Sequence, residues 1–369
     1  MIELLFLLLP VAAGYGWIMG RNSERSRHRH SHNPSSRSSS YLVSDEYIHE
    51  YLKSLKGKAT DLDFFCRQLV DTATSLVRQG KVDTAVALVE QAIKDEKISS
   101  PDVLCFLAKQ YTAMGLLARA ENTLLPLLKR SKSRAHAIGP LLRVYQSLKT
   151  WSNSLSLFQE HSDDFRSDDL HIVSHHICEY ANHEETSAQK SSLLDIALGA
   201  APNNVRAMLE KAQCEIELGH LNIAQELLSA ARRTSGLYRI LELEKALYHQ
   251  LNKPDDYLSI LIQFTLDKPN LSAILFMLDN YHEQLNIEHI EDILQSCQQA
   301  SIEKEARQLI LRWYIITHFE ESHFLRQMVQ HDLEKHSAYR CQNCGFSTPS
   351  FSWNCPSCNQ WDTLHLKLI

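Results

Sequence analysis

Nine cysteines are spread over the 369 residues, but only four have a spacing that can do chemistry. Cys341 and Cys344 form one C-x-x-C knuckle, Cys355 and Cys358 a second, and ten residues separate them. Two such knuckles at short separation are a strong metal signal, because their four thiolates can converge on one ion. An all-sulfur set suits tetrahedral zinc or iron. Gly345 follows the first knuckle and Asn359 holds the matching place after the second. Both residue types accept the left-handed backbone that turns amides toward sulfur, and Pro356 stiffens the second turn. A catalytic zinc keeps one position open, whereas four cysteines fill them all. The site therefore reads as a structural or recognition centre. The competing readings are a redox dithiol pair or free cysteines, and bound iron leaves electron transfer open. Trp353, Trp361, Phe346 and Phe351 are expected to cover the metal side, since a segment of about thirty residues has almost no other core.

No second set of this kind is present. The chain has no H-E-x-x-H, no G-x-S-x-G and no phosphate-loop motif, so no enzyme activity is expected. His175, His176 and His183 fall on helical patterns and are expected to be solvated or packing residues at helix surfaces. Cys66, Cys105, Cys178, Cys214 and Cys297 have no fixed spacing, and a cytoplasmic chain keeps such thiols reduced. The formal net charge is −6, and residues 339–369 hold only Arg340 and Lys367 as basic side chains, against Asp362. A zinc ribbon that reads nucleic acid needs a basic face, so no nucleic-acid partner is expected.

The elements that must position the four cysteines are helical. Glycine is 11 of 369 residues, well below the usual ~7%, and proline is 10. From about residue 42 the apolar residues recur at helical rather than strand spacing. Ala73, Gly80, Ala85 and Ala92 stand at offsets that Ala108, Gly115, Ala120 and Leu127 repeat 35 residues later. Leu142, Lys149, Ser154 and His161 follow 34 residues on with poorer chemistry, and Tyr145 matches Tyr111 at the same interval. The strong form returns at Ala212, Gly219, Ala224 and Ala231, and a weak one 34 residues later at Ala246, Lys253, Leu258 and Thr265. Small residues let two helices cross closely, and the glycine ends the first helix in a left-handed turn. Ala197 fits the last helix-B position of a further unit, with Pro202 and Pro269 at unit ends. This period resembles the tetratricopeptide (TPR) repeat. About seven helix pairs are expected over residues 42–336, degenerate at both ends; a non-repeating helical bundle is the alternative. Gly57, Gly139, Gly199 and Gly236 are expected in turns between helices. Stacked repeats form a superhelix whose groove binds peptides or partner domains.

The N-terminus differs from the rest. Leu4 to Met19 carries no charge, and Arg21, Arg25, Arg27 and Arg29 follow it. This predicts a single-pass transmembrane helix over residues 1–20, with the arginine side and the bulk of the chain cytoplasmic. A cleaved signal peptide would begin with a basic region. Ala12, Gly16 and Gly20 are spaced for close helix–helix approach in lipid and allow a homodimer. Residues 21–41 read as a polar Arg/His/Ser linker, with His28, His30 and His32 in a solvated tether near lipid headgroups.

Three parts together carry a resemblance that spans the whole chain. The opening MIELLFLLLPVAAGYGWIMGR, the repeats, and the closing run from Tyr339 through both knuckles to Trp361 and Thr363 resemble the lipopolysaccharide assembly protein B (LapB) family of Gram-negative bacteria. The linker is unusual for that family and the tail after Trp361 is short. The resemblance implies an all-α TPR superhelix with an N-terminal transmembrane helix and a small C-terminal rubredoxin-like, zinc-ribbon domain over 337–369, packed on the repeats. It implies one metal ion, iron or zinc, on Cys341, Cys344, Cys355 and Cys358. It also implies a non-enzymatic adaptor at the inner membrane. Such an adaptor brings the lipid A deacetylase LpxC to the membrane protease FtsH and works among other lipopolysaccharide assembly proteins. A rubredoxin-type redox protein, or another TPR scaffold at the inner membrane, is the runner-up.

Overall fold

The computed structural model describes residues 45–58, 61–96, 98–300, 302–318 and 337–368. The predicted anchor over 1–20 and the linker over 21–41 lie outside the described residues. Among the described residues no helix is long and apolar enough to cross a membrane. The chain divides into two compact units, Met1–Lys97 and Ile98–Ile369.

The first unit contains α1 (Asp45–Lys58), α2 (Leu62–Arg78) and α3 (Val82–Glu96). Asp61 starts α2 by accepting a hydrogen bond from the Phe64 amide at 2.6 Å, which satisfies one of the free donors of the first turn. Gly80 turns the chain with φ +79°, and the Lys81 amide closes the turn on the Leu76 carbonyl at 2.9 Å. Ala73 of α2 and Ala85 and Ala92 of α3 are fully buried. The predicted small-residue contact is therefore the one that joins these two helices.

The second unit begins with helix pairs α4 (Pro101–Ala113) and α5 (Leu117–Leu128), α6 (Ser131–Leu148) and α7 (Trp151–His161), and α8 (Ser167–Ala181) and α9 (Ser187–Ala200). Then come α10 (Val205–Glu217) and α11 (Leu221–Thr234), α12 (Tyr238–Gln250) and α13 (Pro254–Asp267), α14 (Leu271–Tyr281) and α15 (Ile287–Gln299), and the single helix α16 (Glu303–His318). Four of its pairs use one turn design. Gly115, Lys149, Gly219 and Asn252 have φ between 56° and 82°. In each, the following amide bonds back to the carbonyl five residues earlier, from Leu116 to Tyr111, Thr150 to Tyr145, His220 to Glu215 and Lys253 to Tyr248. This is the 6→1 closure of a helix C-terminus. Ala108, Ala120, Leu127, Leu142, Ser154, Ala197, Ala212, Ala224 and Ala231 are all buried at the helix crossings.

The weak unit α12/α13 corrects the sequence register by one residue. Its left-handed turn residue is Asn252, not Lys253. Ala246 is exposed and Leu258 only half-buried; Tyr257 and Phe264 stand at the helix-B places counted from Asn252, with Thr265 buried beside Phe264. Large rings there replace close contact, and the space is completed by a buried ion pair. Arg232 Nε lies 2.9 Å from Glu244 Oε2, and the Tyr257 hydroxyl donates to Glu244 at 3.3 Å. Gly57, Gly139 and Gly199 also depart from expectation, because they lie inside α1, α6 and α9; only Gly236 is in a loop. At Gly139 an added Cβ would stand 2.6 Å from Asp169 Oδ1, so close approach of α6 and α8 explains that glycine. Pro140, next to it, donates no hydrogen bond to the His136 carbonyl. That carbonyl instead accepts from the Cys105 thiol at 3.4 Å, a thiol that burial pushes up to about 11.

At the C-terminal end of this unit, β1 (Ser337–Cys341) lies between β2 (Ser347–Thr348) and β3 (Leu364–Leu368) in an antiparallel sheet of order β2-β1-β3. Tyr339 pairs with Thr348 on one side and Leu366 on the other.

Candidate metal centre and its seat on the repeats

The two knuckles are built on one plan. In the first, the Cys341 amide donates to the Phe346 carbonyl at 2.8 Å and the Gly345 amide to the Cys341 carbonyl at 2.9 Å. In the second, the Cys355 amide donates to the Gln360 carbonyl at 2.9 Å and the Asn359 amide to the Cys355 carbonyl at 2.8 Å. Gly345 and Asn359 both have positive φ, 77° and 56°, as their residue types predicted. β1 delivers Cys341, and the turn before β3 brings Trp361, Asp362 and Thr363 across it.

This arrangement brings all four predicted sulfurs together, within 4.8 Å of one another. Cys341 Sγ stands 3.7 Å from Cys358 Sγ, and Cys344 Sγ 3.7 Å from Cys355 Sγ. Around an ion with metal–sulfur bonds of about 2.3 Å, a regular tetrahedron places its sulfurs about 3.8 Å apart. The donor set therefore fits one metal ion. Burial raises the Cys341 thiol, but the Thr363 hydroxyl at 3.2 Å and the amides of Cys344 and Asn343 outweigh it and lower it to about 6. Asn343 and the Gln360 amide lower Cys358 against burial. Burial dominates at Cys355, which is raised to about 11 in the absence of an ion; a coordinated thiol is deprotonated outright. Cys341 and Cys355 are buried, whereas Cys344 is exposed.

The tryptophans do not cover the metal as expected. Trp361 turns to the repeats, where its ring stacks on His175 of α8 with centroids 4.7 Å apart and planes 5° from parallel. Arg206 of α10 lies over the same ring, its Cζ 5.9 Å from the centroid. Trp353 packs against the apolar cluster of α10 to α12 around Met208 and Leu209. Phe351, by contrast, does join Cys341, Cys355 and Leu364 in the small core of the ribbon. Gln146 of α6 donates to the Asn359 carbonyl at 2.9 Å. The ribbon thus rests on the first helices of three successive pairs, α6, α8 and α10.

His175 and His176 are the residues that sequence reasoning placed wrongly. Both are fully buried rather than at a helix surface. His176 bonds to Ser154 Oγ at 2.9 Å and is lowered to about 3 by burial. His175 Nε2 lies 2.8 Å from Asp362 Oδ2, and His171 Nε2 3.0 Å from the same oxygen. Burial keeps His175 neutral, while the bond to Asp362 raises His171. Burial alone would raise the Asp362 carboxyl, but these two imidazoles outweigh it and hold it well below the carboxylate range. The adjacency of two histidines in His175-His176 was visible in the sequence; that a tryptophan and a carboxylate from residue 361 onward would meet them was not.

Fold and site define a class: a TPR-like helical-repeat protein with a four-cysteine ribbon seated on its repeats. Residues 339–365 match the rubredoxin metal binding domain family. The chain is 27% identical to lipopolysaccharide assembly protein B of Haemophilus influenzae, with 99% of this chain and 98% of the relative covered. It is equally 27% identical to lipopolysaccharide assembly protein B of Escherichia coli K12, over the same shares. Solved structures similar to it include a tetratricopeptide repeat protein of Parabacteroides merdae, 15% identical with a TM-score of 0.35 over 67% of this chain and 98% of that one. PilF of Pseudomonas aeruginosa is 16% identical with a TM-score of 0.36, over 58% and 97%. From the first residues to the ribbon, this chain resembles the lipopolysaccharide assembly protein B family.

Proposed function

We propose that this protein is a non-enzymatic, membrane-anchored adaptor that regulates lipopolysaccharide synthesis by presenting LpxC to FtsH. The observation that carries this reading is the similarity to lipopolysaccharide assembly protein B along 99% of the chain, ribbon included. In this reading residues 1–20 are the anchor, 21–41 the linker, 42–336 the repeats and 337–369 the metal-binding domain, with the bulk of the chain on the cytoplasmic side of the inner membrane. Cys341, Cys344, Cys355 and Cys358 hold one tetrahedral ion, iron or zinc, which supplies folding energy to the ribbon. The seated ribbon fixes the spacing of α6, α8 and α10, so the repeats present a rigid surface to the client. Anchoring raises the effective concentration of a bound client near a membrane protease.

A pull-down from membranes with the full chain, repeated without residues 1–20, tests the reading. The full chain is expected to retain a membrane protease and a cytosolic lipid A enzyme, and the truncated chain to lose the protease. Unchanged client turnover after deletion of residues 1–20 would contradict the anchoring role. A redox protein is the second reading, supported by the exposure of Cys344 at the edge of the site. It demands bound iron with a reversible colour change, and loss of function when zinc replaces iron.

A further inference from the structure

We propose that His171 and His175 of α8, together with Asp362 of the ribbon, form a second transition-metal site that clasps the ribbon to the repeats. The two histidines are four residues apart on one helix face, the spacing that aims both rings at one point. Their Nε2 atoms converge on a single carboxylate oxygen, at 3.0 Å and 2.8 Å, and the three ligand atoms lie within 4.8 Å of one another. Two imidazoles and a carboxylate around an ion at about 2.0–2.2 Å stand about 3.3 Å apart, so a few tenths of an ångström of opening admits it. Two neutral nitrogens and one carboxylate are a donor set that zinc accepts, and one position stays open for water.

Three features of the surroundings favour an ion. A cavity of about 450 Å³, lined by His171, Trp361, Asp168 and Asp169 among others, borders the cluster at His171. Asp362 is held at φ 54°, an unfavourable conformation for a residue other than glycine, and its amide is fixed by a 2.8 Å bond to the Trp353 carbonyl. The stack of Trp361 fixes the ring plane of His175. One feature limits the affinity. Among the described residues His175 Nδ1 is buried without a partner, whereas ligating histidines normally donate that second N–H. The clasp therefore binds more weakly than the four-cysteine site, by at least the ten- to hundredfold that a missing outer partner costs.

Cobalt titration of the purified full chain, with the four-cysteine site first filled with zinc, tests this. Wild type is expected to take up one further cobalt with visible bands but without thiolate charge transfer. His171→Ala and Asp362→Asn should each weaken that uptake at least about tenfold, while Asp362→His, which exchanges one ligand for another, should retain it. The linker histidines His28, His30 and His32 are present in every protein and cancel in the comparison. Equal cobalt uptake by wild type and Asp362→Asn, which preserves the side-chain shape, overturns the proposal. So does loss of uptake in Asp362→His to the level of Asp362→Asn.

Discussion

In the pair α10/α11 the helices meet through Ala212, Ala224 and Ala231, with Leu228 and Met208 filling the space around them. Among the described residues, the ribbon has only Cys341, Cys355 and Leu364 buried as a core of its own. The first region is stable because many small apolar contacts exclude water over a long interface. The second is too small for that and needs an ion inside and a partner outside. Its partners are α6, α8 and α10, and the contact with α8 is polar as well as aromatic: Trp361 on His175, and Asp362 between two imidazoles. Order in the repeats therefore depends on side-chain volume, while order in the ribbon depends on coordination chemistry.

The most severe way to separate the two regions is to take the metal away. Changing Cys341, Cys344, Cys355 and Cys358 to serine, or adding a strong chelator, should unfold the ribbon while the repeats keep their helical circular dichroism. Structural zinc supplies roughly 10–16 kcal/mol in small metal-folded domains, far more than the contacts of this ribbon can replace. Loss of the helical signal as well would show that the repeats lean on the ribbon. Trp361→Ala comes next, since removing a buried tryptophan costs about 3–5 kcal/mol. It should release a folded, metal-bound ribbon from α8, seen as faster hydrogen exchange around His175 with unchanged metal content.

Ala224→Leu acts on the other side of the comparison. Overpacking a fully buried crossing costs about 1–3 kcal/mol and should lower the denaturant midpoint of the repeats without altering metal binding. The smallest effect is expected at Glu215 of α10, which bonds to Ser191 of α9 and to His220 in the turn before α11. Burial raises its carboxyl, but Ser191 at 2.6 Å and His220 at 2.7 Å outweigh it and lower it overall. A depressed carboxyl stabilises the fold above its unfolded value of about 4.3. That contribution disappears as pH falls through the lower folded value. Glu215→Gln should lower stability slightly in the neutral region of a pH series and flatten the acid limb, with wild type and variant converging below the folded value.

The strong repeats were legible because small residues and glycine at fixed offsets have one mechanical use. The weak ones were not. At α12/α13 no glycine marks the turn, Asn252 does that work, and the small helix-B residues are replaced by Tyr257 and Phe264, so the pattern slipped by one. The knuckles were fully legible, down to the left-handed Gly345 and Asn359, because bond lengths and short loops leave few solutions. The direction in which Trp353 and Trp361 point was not, since both an ion-bound ribbon and a helix face offer an apolar surface to a tryptophan.

By itself the sequence determined the local elements: helix pairs from spacing and turn residues, and a four-sulfur cage from two knuckles ten residues apart. These depend on contacts within a few dozen residues, and their physics is short-range. Only the tertiary structure decided where the ribbon rests. Residues 171 and 175 meet residues 361 and 362 across nearly two hundred positions of chain, and no periodicity encodes such a contact. It follows from the shape and charge of two surfaces that exist only after each has folded.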